Sequence, residues 1–436
     1  MEARSQIIVA LVEFFERVQL KYVIVGANAS QIPYEVENDV DFIVDRTSFI
    51  RIIPLMQAFC KDENLHMVQV IPYEPLAKAF FLQKAHNGKM VSVQFDFASA
   101  YSQGRHMLIS GEQLLDGRRL IIGSDGKLKF WVPSVAHEFL YYLLKKVVKK
   151  EINEEQFEYL KAKYGESPQP SSQALEGFFN KLNQGFICLA MEGKKELKGV
   201  QTVLAGLKED LLDHLSFNPT LMFRFYLNRL GRIFRPTGLS IAFLGADGSG
   251  KSTIIKKLQD DSPAFRKNTY FHLSPKLIYK GGPAEQASNP HGKSKRGFLF
   301  SSLKVFYLLI EYSLGWIMKV KPRLIRTHLV IFDRYYHDIL IDPIRYRYGG
   351  GRFLANLIGK LIPKPDMFIL LDAPAEVLQA RKQEVTLQES KNARERYLEF
   401  MRTCDRGVVV NSDQDLPKVE LQVRESIMQV MERKSY

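Results

Sequence analysis

Residues 245–253 read Gly-Ala-Asp-Gly-Ser-Gly-Lys-Ser-Thr, and the apolar run Leu239–Leu244 leads into them. The helix-forming stretch Thr253-Ile-Ile-Lys-Lys-Leu258 follows, so the order is strand, glycine loop, helix. A loop that cradles phosphates needs this context. Gly245, Gly248 and Gly250 let the backbone curl with its N–H groups pointing inward. Lys251 supplies a point charge for the β- and γ-phosphates, and Ser252 offers a hydroxyl to Mg²⁺. Ser249 and Thr253 complete the run of nucleotide-contacting positions. The helix N-terminus adds its partial positive charge. The expected ligand is a nucleoside triphosphate, ATP with Mg²⁺.

Further carboxylates and cations follow apolar runs downstream. His328-Leu-Val-Ile-Phe332 ends in Asp333-Arg334-Tyr335. In a parallel sheet the carboxyl ends of the strands face the ligand crevice. A carboxylate there can hold Mg²⁺ through water, and an arginine can clamp a phosphate. A third strand, Met367–Asp372, precedes Arg381, Lys382, Arg394 and Arg396. These four could form a basic lid that neutralises a moving phosphoryl group and excludes water, or a solvated helix face.

The N-terminal half carries a different set. Tyr22-Val-Ile-Val-Gly26 reads as a strand ending in glycine, and Asp39-Val-Asp41-Phe-Ile-Val44 follows after twelve residues. Strand alternation puts Asp39 and Asp41 on one face. Asp96, on a third run from Met90 to Phe97, offers another carboxylate. Three carboxylates on adjacent strands can bind two metal ions and drive in-line attack on an α-phosphate.

The elements that must position these groups divide the chain of 436 residues into three expected parts. Residues 1–150 alternate helical and strand-like runs. Residues 151–235 read as a charged helical connector, broken at Ser167-Pro-Gln-Pro-Ser-Ser172. Residues 236–436 alternate strands (Leu239–Leu244, Leu329–Phe332, Met367–Leu371, Gly407–Val410) with helices, which implies βαβ units and a parallel sheet. The hydrophobic fraction of 46 % suffices for packed cores. Cys60, Cys188 and Cys404 have neither metal nor disulfide spacing, and the first residues lack an apolar signal, so a reducing cytoplasm is expected. A net charge of +13 points to anionic partners. No basic run with interleaved aromatics suggests nucleic acid. The stretch Leu299–Val320 has the length of a membrane span, but Lys304 and Glu311 interrupt it. A buried helix is expected there rather than a transmembrane segment, with contact at a membrane surface left open. Oligomeric state is not legible.

Residues 239–410 resemble the thymidylate kinase family of P-loop kinases. The resemblance rests on Gly245–Thr253, Phe332-Asp-Arg-Tyr335, Leu370-Leu-Asp-Ala-Pro-Ala-Glu-Val377 and Arg394-Glu-Arg-Tyr-Leu-Glu399. It implies ATP- and Mg²⁺-dependent phosphoryl transfer to a monophosphate acceptor. It would set Asp247 near the acceptor phosphate and metal, Arg334 on that phosphate, and Asp333 beside Mg²⁺, with the lid arginines, Arg381 among them, on the ATP phosphates. The stretches Phe271–Lys276, Asn289–Arg296 and Asp342–Gly350 depart from the family's base-reading residues. Their cations, Lys293, Lys295, Arg296, Arg345 and Arg347, together with Tyr335, suggest a site for a phosphosugar or another small anionic compound instead of dTMP. Residues 15–145 resemble the nucleotidyltransferase superfamily, with Ala27 where Gly or Ser is usual. The architecture also resembles, more loosely, thymidylate-kinase-like proteins of bacterial surface-polysaccharide clusters. The expected fold class is therefore α/β: an α+β nucleotidyltransferase-like domain, a helical connector and a P-loop kinase. The expected function is phosphorylation of a nucleoside monophosphate or sugar phosphate. The alternatives are a nucleotidyltransferase served by the kinase half, and a nucleotide-sensing or scaffold protein with a degenerate transferase half.

Overall fold

A computed structural model describes residues 2–26, 31–34, 39–104, 106–215, 218–277, 294–383 and 386–435. The chain forms two compact units, one over residues 1–84 and 91–230 and one over residues 85–90 and 231–436.

In the first unit, helix Glu2–Arg17 precedes five strands: β1 (Tyr22–Val25), β2 (Asp39–Val44), β3 (His66–Glu74), β4 (Ala77–His86) and β5 (Lys89–Ala98). Their order in the sheet is β1-β2-β5-β4-β3, with β1 antiparallel and β5 parallel to β2. Alternation along β2 sends Val40, Phe42 and Val44 into a core with Phe15, Phe95 and Phe97, which leaves Asp39 and Asp41 on the opposite face. Two hairpins follow, β6 (Ala100–Gln103) with β7 (His106–Ser110) and β8 (Arg119–Ile122) with β9 (Lys129–Val132). The stretch expected to be a connector does more than connect. Helices Glu154–Glu166, Lys181–Met191 and Leu197–His214 share one core with helix Val135–Lys149, through Leu140, Leu144, Leu160, Ile187 and Leu204.

The second unit is a five-stranded sheet of β10 (Leu239–Leu244), β11 (Lys267–His272), β12 (His328–Asp333), β13 (Met367–Asp372) and β14 (Gly407–Asn411). The order is β11-β12-β10-β13-β14, and every pairing is parallel. All six residues of β10 are buried, as a central strand covered on both faces requires. Its two neighbours, β12 and β13, come later in the chain, so a crevice opens at its carboxyl end. The edge strand β11 was not expected, because Lys-Asn-Thr-Tyr-Phe-His lacks an apolar run.

The helix Phe298–Gly315, which continues through Trp316–Val320 to Ile325, corrects one expectation. It is not buried all round. Ser301, Val305, Leu308, Glu311 and Tyr312 face the core, while Leu299, Leu303, Phe306, Ile310, Leu314 and Ile317 are exposed. Lys304 and Glu311 are satisfied inside the protein: Lys304 Nζ donates to Tyr346 O at 2.6 Å, and Glu311 accepts the Leu277 N–H. By length and composition this helix could cross a membrane.

Candidate functional site

The loop after β10 folds as its glycines allow. Gly245, Gly248 and Gly250 have φ of +136°, +82° and +88°. A Cβ at Gly245 would stand 2.8 Å from Leu371 O, and one at Gly248 2.7 Å from Leu378 O, so no side chain fits at either. Gly250 caps the helix Lys251–Asp260, whose first N–H groups are thereby offered to the loop. Ser252 and Thr253 are exposed at that helix start, and Ser249 is buried.

Lys251 is almost completely buried and uses all three ammonium donors locally. It donates to Gly245 O and Ala246 O at 2.8 Å each and to Ser249 Oγ at 3.3 Å. Burial and the nearby Arg334 charge lower it to about 8, against the attraction of Asp247, Asp333 and Asp338. A triphosphate offers this ammonium a stronger counter-charge than the loop carbonyls do.

Two arginines converge on Asp247. Arg334 Nη2 donates to Asp247 Oδ1 at 2.6 Å, and Arg345 Nη1 donates to Oδ2. Burial alone would raise the Asp247 carboxyl; Arg334, Arg345 and Lys251 overcome it and hold it well below the usual range. Arg334 follows β12 in a left-handed conformation, φ +72°, with its N–H on Phe243 O. Behind it, fully buried Asp338 lies 3.5 Å from its Nη1 and accepts the Tyr335 N–H and the Tyr397 hydroxyl. Burial pushes Asp338 up, partly countered by Arg334. Neither Asp338 nor Tyr397 was assigned a part from the sequence. The available signal was only a carboxylate four residues after the arginine, and Arg334 lies before the helix that starts at Asp338, so helical spacing does not place the pair.

Asp247, Arg334 and Arg345 line a cleft with Asp342, Lys382, Glu389, Ser390 and Tyr397. Of the expected lid cations only Lys382 reaches it. Arg381 turns elsewhere: its guanidinium donates to Ser412 O at 3.1 Å. Arg394 makes a bidentate pair with Asp372 at the end of β13, with both bonds at 2.8 Å. Arg396 bonds Asn392 O of its own helix. Tyr335 points into the core. It is fully buried, packs edge-on against Tyr312 and Phe332, and donates to Pro363 O. Arg347 bonds Ser294 O at 3.2 Å, and its carbonyl accepts the Arg296 N–H, so it ties two segments together instead of facing the cleft. Lys293 and Ala27 lie outside the described residues.

Asp333 closes β12 and accepts the Tyr270 hydroxyl at 3.1 Å. Its carboxylate and the Ser252 hydroxyl are hard oxygen donors of the kind Mg²⁺ takes, usually with waters completing the octahedron. The donor chemistry fits that ion.

In the first unit the β2–β5 register sets Asp41 beside Asp96. Carboxylate oxygens of Asp39, Asp41 and Asp96 all lie within 4.8 Å of one another. Lys145 Nζ donates to Asp41 Oδ2 at 3.0 Å. Burial, reinforced by Asp41 and Asp39, pushes Asp96 up to about 7 against hydrogen bonds from Gln94 and Tyr73. Burial likewise raises Asp41, against Lys145. Such mutual repulsion is relieved by a cation.

A parallel sheet whose central strand feeds a glycine loop and a helix start, with a lysine, two arginines and carboxylates around the strand ends, defines a P-loop phosphotransferase. The comparisons narrow the class. Residues 243–432 match the family model described as Thymidylate kinase. A probable thymidylate kinase of Pyrobaculum aerophilum is 28 % identical over 166 residues, covering 37 % of this chain and 77 % of that protein. The thymidylate kinase of Caulobacter vibrioides is 29 % identical over 210 residues, covering 44 % of this chain and 97 % of that one. A solved thymidylate kinase from Candida albicans aligns with 46 % of this chain and 94 % of its own, at 16 % identity and a TM-score of 0.34. The C-terminal half thus carries a thymidylate kinase domain, an ATP-dependent phosphotransferase of the nucleoside monophosphate kinase kind that works with Mg²⁺.

Proposed function

We propose that the C-terminal half, residues 236–436, transfers the γ-phosphoryl group of ATP to the phosphate of a nucleoside monophosphate, with dTMP the first acceptor to test. The carrying observation is the pair of arginines on Asp247, Arg334 and Arg345, at the mouth of the phosphate loop. Two guanidiniums that hold one carboxylate can hold a phosphate dianion in its place. In this reading Lys251 leaves the loop carbonyls for the β- and γ-phosphates, with Gly245, Gly248, Ser249, Gly250 and Thr253 around them. Ser252 and Asp333 hold Mg²⁺, which neutralises phosphate charge when bound. Arg334 and Arg345 orient the acceptor phosphate, and Asp247 contacts the acceptor beside it. Lys382, which lines the cleft, takes the place expected of Arg381 as the lid cation. Of the cations that suggested a sugar phosphate, Arg345 lines the cleft. The reaction is expected in the cytoplasm, where ATP is abundant and the three free cysteines stay reduced.

A second reading is favoured by the three adjacent carboxylates of the first unit. Asp39, Asp41 and Asp96 would hold divalent metal for a nucleotidyltransferase-type reaction at an α-phosphate. The test of both is one assay, with ATP labelled at the γ- or at the α-phosphate and a panel of dTMP, other nucleoside monophosphates and sugar phosphates. Movement of the γ-label to a nucleoside monophosphate supports the first reading. Movement of the α-label supports the second. A γ-label that moves only to sugar phosphates overturns the choice of acceptor.

A further inference from the structure

The helix Phe298–Ile325 is inverted relative to an ordinary surface helix. At 3.6 residues per turn, Leu299, Leu303, Phe306, Ile310, Leu314 and Ile317 fall on a single stripe, and all six are exposed. The ionisable side chains Lys304 and Glu311 fall on the opposite side and are bonded to backbone there. Helix Arg352–Leu361 packs against it and widens the surface, with Phe353 83 %, Leu357 46 % and Leu361 60 % exposed. Soluble monomers seldom expose a continuous apolar face of this size, and such a face marks an interaction surface.

The charges beside it indicate what covers it. Residues 294–326 hold seven Lys and Arg and one carboxylate, and that carboxylate is the buried Glu311. Residues 350–364 add Arg352, Lys360 and Lys364 and no acid. Lys295, Arg296, Lys321, Arg326, Arg352 and Lys360 are exposed. Large apolar side chains beside unopposed cations form the pattern of a surface that enters the headgroup region of an acidic bilayer. A second copy of this face would bring like charges together. Helix Pro219–Phe234 independently repeats the pattern: Phe223, Tyr226, Leu227, Leu230 and Phe234 are exposed among Arg224, Arg229 and Arg235, with no acid in the helix.

We propose that the protein docks on anionic lipid bilayers through the face formed by helices Phe298–Ile325 and Arg352–Leu361. The apolar stripe enters the interface and the flanking cations bind lipid phosphates. Docking lies in the membrane plane and does not span it, because Lys304 and Glu311 remain inside the protein.

Flotation of the full chain with vesicles tests this, using phosphatidylcholine alone or mixed with phosphatidylglycerol, with light scattering of the free protein in parallel. The full chain should float with the mixed vesicles, with affinity about tenfold or more above that for phosphatidylcholine alone, and should lose this preference at high salt. The double variant Leu299→Glu/Phe353→Glu should float at least about tenfold less while keeping its thermal melt and its ATP turnover. Should that pair fail to fold, Arg352→Glu/Lys360→Glu should weaken flotation to a similar degree. Wild-type protein that stays unbound to the mixed vesicles overturns the proposal, as does flotation unchanged in a folded variant. Failure to float, with a dimer that the double variant dissolves, would assign the face to a second copy.

Discussion

The Asp247 carboxylate and the Arg334 guanidinium meet at 2.6 Å although 87 residues separate them in the chain. The contact joins the phosphate loop after β10 to the end of β12. Arg334 in turn leans on Asp338, and Arg345 holds the other Asp247 oxygen. Loop, strand end and the two cleft arginines thus form one charge network, and its members should respond differently to mutation.

Arg345 is the more exposed of the two arginines, so its loss should affect binding more than folding. Arg345→Ala should raise the acceptor KM by about 10- to 100-fold, the worth of a hydrogen bond to a charged group, with a smaller change in the KM for ATP. Steady-state kinetics with each substrate varied in turn would check this. Equal effects on both substrates would remove Arg345 from the acceptor side.

Arg334→Ala should cost stability as well as activity. It leaves fully buried Asp338 without its counter-charge, a loss of about 3–5 kcal/mol. Urea unfolding should show the midpoint falling, with Arg334→Lys restoring part of it. A stability change within about 0.5 kcal/mol, the usual range for a surface substitution, would mean that Asp338 finds its compensation elsewhere.

His337 gives the second unit an acid sensitivity. Burial, with Lys364 adding repulsion, pushes its imidazole down to about 4, and its ring packs between Tyr335, Phe368 and Phe400. The unfolded chain takes up this proton near pH 6.5 and the folded chain does not, so stability falls as pH drops from about 6.5 towards 4. The group should contribute about 2 kcal/mol of destabilisation at pH 5. In thermal melts across this window the wild type should lose stability relative to His337→Phe as pH falls. Parallel curves would exclude His337 as a source.

In the first unit, Mn²⁺ titration of the full chain should reveal a site that Asp39→Asn and Asp41→Asn each remove, since beside the Lys145 ammonium two carboxylates no longer balance a divalent cation. Both variants should keep γ-phosphoryl transfer. Identical Mn²⁺ isotherms for wild type and variants would leave the three aspartates without a metal.

Much of the kinase half was legible because its strands are continuous apolar runs and its loop needs glycine at three positive-φ positions. The edge strand β11 was hidden by its polar composition, and the exposed face of the helix Phe298–Ile325 by the assumption that apolar residues turn inward. Sequence proximity to a strand end identified Arg334 but could not give side-chain direction. Tyr335, its neighbour, points into the core, and Arg381 turns to Ser412 while Lys382 takes the cleft. Strand alternation put Asp39 and Asp41 on one face, but the parallel β2–β5 register that aligns Asp41 with Asp96 could not be read from the chain. Asp338 went unread because its partners, Arg334 and Tyr397, are assembled by tertiary packing.

The most direct measurement follows γ-labelled ATP and dTMP with the full chain, beside Lys251→Ala. The account predicts labelled dTDP from the wild type, and a rate about 100- to 1,000-fold lower from a folded Lys251→Ala protein, as for loss of one contact to developing charge. Undiminished transfer by Lys251→Ala, or no γ-label on any nucleoside monophosphate, would contradict it.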